Sequence, residues 1–280
     1  MGHRPDSSAA APSAAAPSAL APPVEILDST EHRTAAGTGY LRFDGRVGQR
    51  QFYAHAPLNR AGALIAQADL AVLHFHGSGA SRTNLDNQEM RAFRDAALDR
   101  GWVLGAPSTG NTFGNADALA LGTAVLGWLR HEFSPAATVL HGYSMGGMAA
   151  YNASGRGLVP DLAGVVVVNG TVDSLASNSL PRIREVYGAA DDAELLVRQA
   201  CYDPARDDAA RWAHLPMFLS YSTGDAAVPA GPHGEAFMAR AATPERIVYR
   251  VGTNGHADVA GFRHQEVLEW IESLPAPAGR

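Results

Sequence analysis

The chain has 280 residues, 46% hydrophobic and 18% charged, with a formal net charge of -6 at pH 7. That length suits one large α/β domain or two small ones, and the charge balance, with no basic cluster, excludes a nucleic-acid groove or a docking face for anionic membranes. No apolar run reaches the ~18 residues of a membrane span, and the single cysteine, Cys201, excludes an intramolecular disulfide and a thiolate metal cluster.

Residues 1–23 are mostly Ala, Pro and Ser. Such a stretch cannot bury enough apolar surface to offset chain entropy, so it predicts a disordered leader ahead of one domain over 24–280. The alternative is an export signal with Ala19-Leu20-Ala21 as its cleavage site. Pro12 and Pro17 interrupt that segment and it lacks a Leu-rich centre, which favours the cytoplasm over secretion.

Three strands follow, Val24 to Asp28, Tyr40 to Phe43 and Arg50 to Ala56, with Asp44-Gly45 as the hairpin turn between the last two. Leu70 to His76 is a near-continuous apolar run, as expected of a strand buried on both faces in a parallel sheet. It ends in His76-Gly77-Ser78-Gly79. Asn87 to Leu98 has helical spacing, stopped near Gly101, and Trp102 to Ala106 reads as a strand ended by Pro107. The turn-rich loop Ser108 to Asn115 leads into a helix over Ala116 to His131.

The next stretch, Ala137 to Gly147, is an apolar run that stops at Gly142-Tyr143-Ser144-Met145-Gly146-Gly147 and passes into an alanine-rich helix. Strand, sharp turn and helix in that order form a nucleophile elbow. The serine needs a strained backbone, so glycines flank it where a Cβ would collide with the turn. The first amide of the helix, Met145 N–H, then faces negative charge developing beside Ser144. Leu162 to Asn169 is strongly strand-like. Residues 171–214 break the rhythm with short amphipathic pieces and read as a cap-like helical insertion. Alternation resumes with strand Met217 to Ser222, helix Gly234 to Ala241, strand Arg246 to Val251 and helix Gln265 to Ser273. The whole implies a mostly parallel sheet with helices on both faces.

In such a sheet, chemistry collects at the carboxyl ends of strands. A serine is a weak nucleophile at neutral pH and needs a base and a group that holds the base. Asp225, in the turn after Met217 to Ser222, is the candidate acid. His256, in the glycine-rich loop after the next strand, is the candidate base, whereas His233 and His264 precede helices. Asp173 is the rival acid, from the loop after the Val-rich strand. For the oxyanion, the amide of Ser78 is the expected partner of Met145 N–H, with Gly77 as the near alternative. His76, Gly77, Tyr143, Asn111 and Phe113 are candidate substrate contacts. His74 and His76 with His141 would make a metal site only with a carboxylate cluster that the sequence does not place beside them, so no metal is expected and buried hydrogen-bonded roles are preferred.

The four ordered motifs, around His76, Ser144, Asp225 and His256, resemble those of a serine hydrolase of the α/β-hydrolase superfamily, over roughly residues 40 to 275. The resemblance implies an eight-stranded, mostly parallel sheet, the nucleophile after its fifth strand and the insertion after its sixth. It also implies hydrolysis of a small-molecule ester or other acyl substrate without a cofactor. Peptide or amide cleavage, acyl transfer and thioester hydrolysis would use the same groups, and a non-catalytic binding protein on this scaffold is the alternative outside enzymes.

Overall fold

The computed structural model describes residues 23–275, so the expectation of a leader over 1–23 lies, apart from Pro23, outside the described residues. Its strands are β1 (Val24–Arg33), β2 (Gly39–Val47), β3 (Arg50–Pro57), β4 (Leu70–Phe75), β5 (Val103–Pro107), β6 (Ala137–Tyr143), β7 (Leu162–Val168), β8 (Met217–Ser222) and β9 (Ile247–Gly252). They form one sheet in the order β1-β2-β3-β5-β4-β6-β7-β8-β9. The first three and the β3–β5 junction are antiparallel, and β5 through β9 are parallel. The expected count of eight is therefore corrected to nine. The added strand is β1, which pairs along its whole length with β2. The elbow accordingly follows the sixth strand and the insertion the seventh.

Helices α1 (Gln88–Asp99) and α7 (His264–Glu272) cover one face, and α2 (Ala116–Phe133), α3 (Met145–Gly155) and α6 (Ala236–Arg240) the other. The strand period of two sorts side chains between them. On β7, Val165 and Val167 face α2 and α3, whereas Val166 and Val168 face α1 and α7. This explains the unbroken apolar runs of the central strands, because both faces are covered. The insertion carries α4 (Leu180–Tyr187) and α5 (Asp192–Arg198). Among the described residues, no helix is long and apolar enough to cross a membrane.

One turn differs from its expected place. Asp44 and Gly45 lie inside β2, and the hairpin closes at Gly48-Gln49, where Val47 pairs with Arg50 and Gly48 has φ 58°. Gly45 serves packing instead. A Cβ there would stand 2.3 Å from Phe52 Cζ, whose ring is fully buried across the strand pair. Gly45→Ala is expected to cost about 1–3 kcal/mol by forcing that ring aside. Urea unfolding should show a lower midpoint at an unchanged m-value, and an unmoved midpoint would contradict this packing role. The helix expected from Gly234 is also irregular, since Gly231–Glu235 forms a wider turn before α6 begins at Ala236.

Candidate active site

The chain runs from β4 outward to β5 and returns to β6 on the other side of β4. Loops leaving β4 and β6 therefore diverge, which opens a crevice at their carboxyl ends. Ser144 stands there with φ 55° and ψ -121°, between the last residue of β6 and the first of α3. A left-handed non-glycine residue of this kind costs about 1–3 kcal/mol. It is held by Ser144 N–H donating to Val168 O at 3.0 Å, while Ser144 O accepts from Gly147 N–H at 2.9 Å and Thr171 N–H at 3.0 Å. The flanking glycines are sterically required. A Cβ on Gly146 would lie 2.0 Å from Phe75 O, and one on Gly142 would lie 2.5 Å from Gly146 O.

Three distant segments meet at this turn. Asp225 follows β8, His256 follows β9, and the imidazole bridges Asp225 Oδ2 at 2.6 Å and Ser144 Oγ at 2.9 Å. Burial pushes the Asp225 carboxyl upward, but the His256 hydrogen bond, the amides of Val228 and Ala227 and the charge of an imidazolium outweigh it, so the group sits below its ordinary value. An ionised carboxylate only accepts, so His256 Nδ1–H donates to it. In the neutral ring, Nε2 then carries the lone pair, and Ser144 O–H donates to it. Asp225 Oδ1 takes the amides of Ala227 at 2.8 Å and Val228 at 2.9 Å, which fixes the carboxylate plane. The rival Asp173 is engaged elsewhere. Its Oδ1 accepts from Arg206 Nη1 at 2.9 Å and from Leu175 N–H at 2.8 Å, and no hydrogen bond joins it to His256 among the described residues.

The loop after β4 is held from beneath. His76 is fully buried and accepts Thr109 N–H at Nε2, 3.1 Å away, so its proton is on Nδ1, which donates to Gly77 O at 2.8 Å. In a trans peptide the carbonyl and the following N–H point in opposite directions. Pinning Gly77 O therefore turns Ser78 N–H away from the His76 ring. Gly77 itself packs against the elbow, where a Cβ would come within 3.0 Å of the Tyr143 ring and 3.3 Å of Ser144 Cβ. Asn111 secures the loop's outer side, its Oδ1 accepting from Ser78 Oγ at 2.8 Å and Gly79 N–H at 3.0 Å. Neither Ser78 N–H nor Met145 N–H has a hydrogen-bond partner among the described residues.

Tyr143 and Phe113, expected as substrate contacts, are placed in packed surroundings. Tyr143 O–H donates to His256 O at 3.1 Å. Phe113, 1% exposed, packs with Met145, Met148, Ile183 and Leu195 beneath the insertion. His74 and His141 pair inside the sheet. His74 Nε2–H donates to Asn84 Oδ1 at 2.7 Å, and His141 Nδ1–H donates to His74 Nδ1 at 3.0 Å. No group of three or more His, Cys, Asp or Glu side chains able to hold a metal occurs among the described residues. Two residues of the site were not anticipated as such. Asn169 donates from Nδ2 to His256 O at 3.0 Å, and Thr109 orients His76. The dipeptide Asn169-Gly170 at the end of a strand was the available signal for the first, since Asn is among the residues that tolerate positive φ.

No family model matches the chain, and no curated protein matches it in sequence. Similarity to solved structures is extensive. S-formylglutathione hydrolase of Agrobacterium tumefaciens is 14% identical, with 90% of this chain and 100% of that one covered at a TM-score of 0.66. The Pyrococcus furiosus esterase Pf2001 is 15% identical, with 88% and 90% covered and a TM-score of 0.55. FphF, a fluorophosphonate-binding serine hydrolase of Staphylococcus aureus, is 12% identical, with 88% and 96% covered and a TM-score of 0.59. Near-complete coverage of both chains at TM-scores of 0.55 to 0.66, with a mostly parallel nine-stranded sheet flanked by helices, shows that the chain has the α/β-hydrolase fold.

Proposed function

We propose that this protein is a serine hydrolase that cleaves carboxylic esters through an acyl-enzyme. The observation that carries this reading is the unbroken chain of hydrogen bonds from Asp225 through His256 to Ser144 Oγ, 2.6 and 2.9 Å long. His256 Nε2 takes the Ser144 proton as Oγ attacks the ester carbonyl. The tetrahedral oxyanion is met by the amides of Met145 and Ser78, with the α3 dipole behind the first. The imidazolium, stabilised by Asp225, protonates the departing alkoxide, and the acyl group stays on Oγ. Water then gives its proton to His256 and attacks the acyl carbon, and the imidazolium returns a proton to Oγ as the acid leaves. Every proton is carried by residues of this chain, so the cycle uses no cofactor.

The names of the similar proteins, an esterase and a fluorophosphonate-binding serine hydrolase, support this reading. A thioester is the second candidate class, because S-formylglutathione is one and the A. tumefaciens neighbour is named for it. Incubation with a fluorophosphonate probe should label the wild type, and the label should vanish in Ser144→Ala. Folded wild-type protein that takes up no label would reject a nucleophilic serine.

Packing beside the elbow bears on substrate size. Met145, Met148, Phe113, Ile183 and Leu195 are each at most 2% exposed and fill the space between α3 and the insertion with one another. Long acyl chains would have to displace this close-packed cluster, at a typical cost of about 1–3 kcal/mol. Rates on p-nitrophenyl esters should therefore fall by about 10-fold or more from butyrate to octanoate, the equivalent of ~1.4 kcal/mol. Rates that climb through octanoate would show an acyl pocket elsewhere.

A further inference from the structure

His256 stands on a largely exposed loop, tied on either side of it by Ser222 Oγ donating to Asn254 O and Asn254 Nδ2 donating to Asp258 Oδ2. Thr253, Gly255, Ala257 and Asp258 are all exposed, and β9, from which the loop departs, has a single neighbouring strand. Yet the imidazole must stay within hydrogen-bond reach of Ser144. Two buried side chains converge on the backbone of this one residue. Tyr143 O–H and Asn169 Nδ2–H both donate to His256 O, at 3.1 and 3.0 Å. The Tyr143 ring also lies under the imidazole, with centroids 5.2 Å apart and planes inclined by 30°, and is backed by Phe262 at 4.8 Å.

We propose that Tyr143 and Asn169 form a clamp on the His256 carbonyl that positions the general base. The inference rests on the serine-hydrolase reading above, and both residues are positioning residues rather than catalytic ones. Holding the carbonyl fixes the peptide plane after His256 and with it the position of the Cα from which the imidazole projects. The face of the Tyr143 ring then limits how far the imidazole can tilt. Tyr143 immediately precedes Ser144, so one dipeptide carries the nucleophile and grips the base. Asn169 extends from the end of β7 with φ 46°, its own N–H donating to Ser220 O at 2.7 Å. The strand end that seats Ser144 through Val168 O thus also supplies the second donor.

The variants are Tyr143→Phe, which removes one hydroxyl, and Asn169→Gly, which keeps a backbone able to adopt positive φ while deleting the amide. Each should lower kcat on p-nitrophenyl butyrate by about 3- to 10-fold, and the pair by about 10- to 100-fold, with KM within twofold of wild type. A second readout does not depend on turnover. The strongly hydrogen-bonded His256 Nδ1 proton facing Asp225 should give a low-field proton NMR resonance, which should broaden through solvent exchange in the double variant at pH 6. An unchanged resonance together with unchanged kcat would overturn the clamp. So would equal changes in kcat and KM accompanied by a sharp resonance. If the double variant fails to fold, Tyr143→Phe alone decides by the same two measurements. Failure of the underlying reading looks different: the wild type itself would show neither ester turnover nor probe labelling, whatever the resonance does.

Discussion

Replacing Ser144 with alanine is expected to lower kcat/KM on a short-chain ester by about 10⁴- to 10⁶-fold without a large change in thermal stability. In the mechanism proposed above, the hydroxyl oxygen forms the covalent bond to the acyl carbon, and that bond has no counterpart once the oxygen is gone. Ser144 is 8% exposed, so removing its Oγ creates no large cavity. His256→Ala should fall in the same range, and the double variant should be scarcely worse than either, because the two act as one unit. Asp225→Asn should cost about 10⁴-fold by presenting an amide where the imidazole needs an acceptor, which favours the wrong tautomer. Asp173→Asn separates the two acids. It removes the negative charge facing Arg206 but leaves the Asp225 to His256 contact intact, so its kcat should stay within about 10-fold of wild type. A larger loss from Asp173→Asn than from Asp225→Asn would reverse the assignment of the acid.

The second large effect is acid sensitivity. His55, His74, His76, His141, His233 and His264 are held below the ordinary histidine value, burial being the largest cause at each. For His74 and His233 the value falls to about 4. In the unfolded chain these rings take up protons near pH 6.5, whereas in the folded protein they stay neutral. Stability is therefore fully present above pH 6.5 and is lost as pH falls toward 4. His74 alone amounts to about 3 kcal/mol over that window at ~1.36 kcal/mol per unit. Asp203 opposes them. Burial, helped by the charge of Asp173, outweighs the lowering by Arg206 and the Ala205 amide and leaves its carboxyl raised to about 6, which returns up to about 3 kcal/mol as pH falls. One group against six does not reverse the sign. Urea midpoints measured from pH 7 to 4.5 should drop steeply below pH 6, and a midpoint that stays level down to pH 5 would contradict neutral burial of these rings.

Much of this was legible in the sequence because it depends on local pattern. The parallel strands announced themselves as apolar runs, and the elbow glycines as a fixed spacing around Ser144. That Asp225 and His256 stand at the carboxyl ends of neighbouring strands followed from where those strands stop. What sequence could not supply was the partner of each side chain across the sheet. Asp44-Gly45 reads as a turn by composition, but Phe52 claims that glycine for its ring while Gly48 makes the bend. Tyr143 and Phe113 read as groups lining a crevice because their loops border one. Their actual surroundings, the His256 carbonyl and the insertion's packed cluster, come from segments up to 113 residues away. Asn169 was invisible for the same reason, since nothing near it in the chain shows that its amide meets a loop 87 positions on. The eight-strand expectation failed because it came from resemblance, while β1 lies before the stretch over which that resemblance was drawn.

The fixed proton of His76 has an energetic meaning for the mechanism proposed above. A donor that had to swing round as charge built up on the substrate oxygen would add its own reorganisation to the barrier in every cycle. Here Thr109 settles the tautomer, the tautomer settles the Gly77 carbonyl, and that carbonyl settles the dipole of the next peptide. The work of aligning that dipole is done once, when the chain folds, and each later turnover meets a field already pointing the right way.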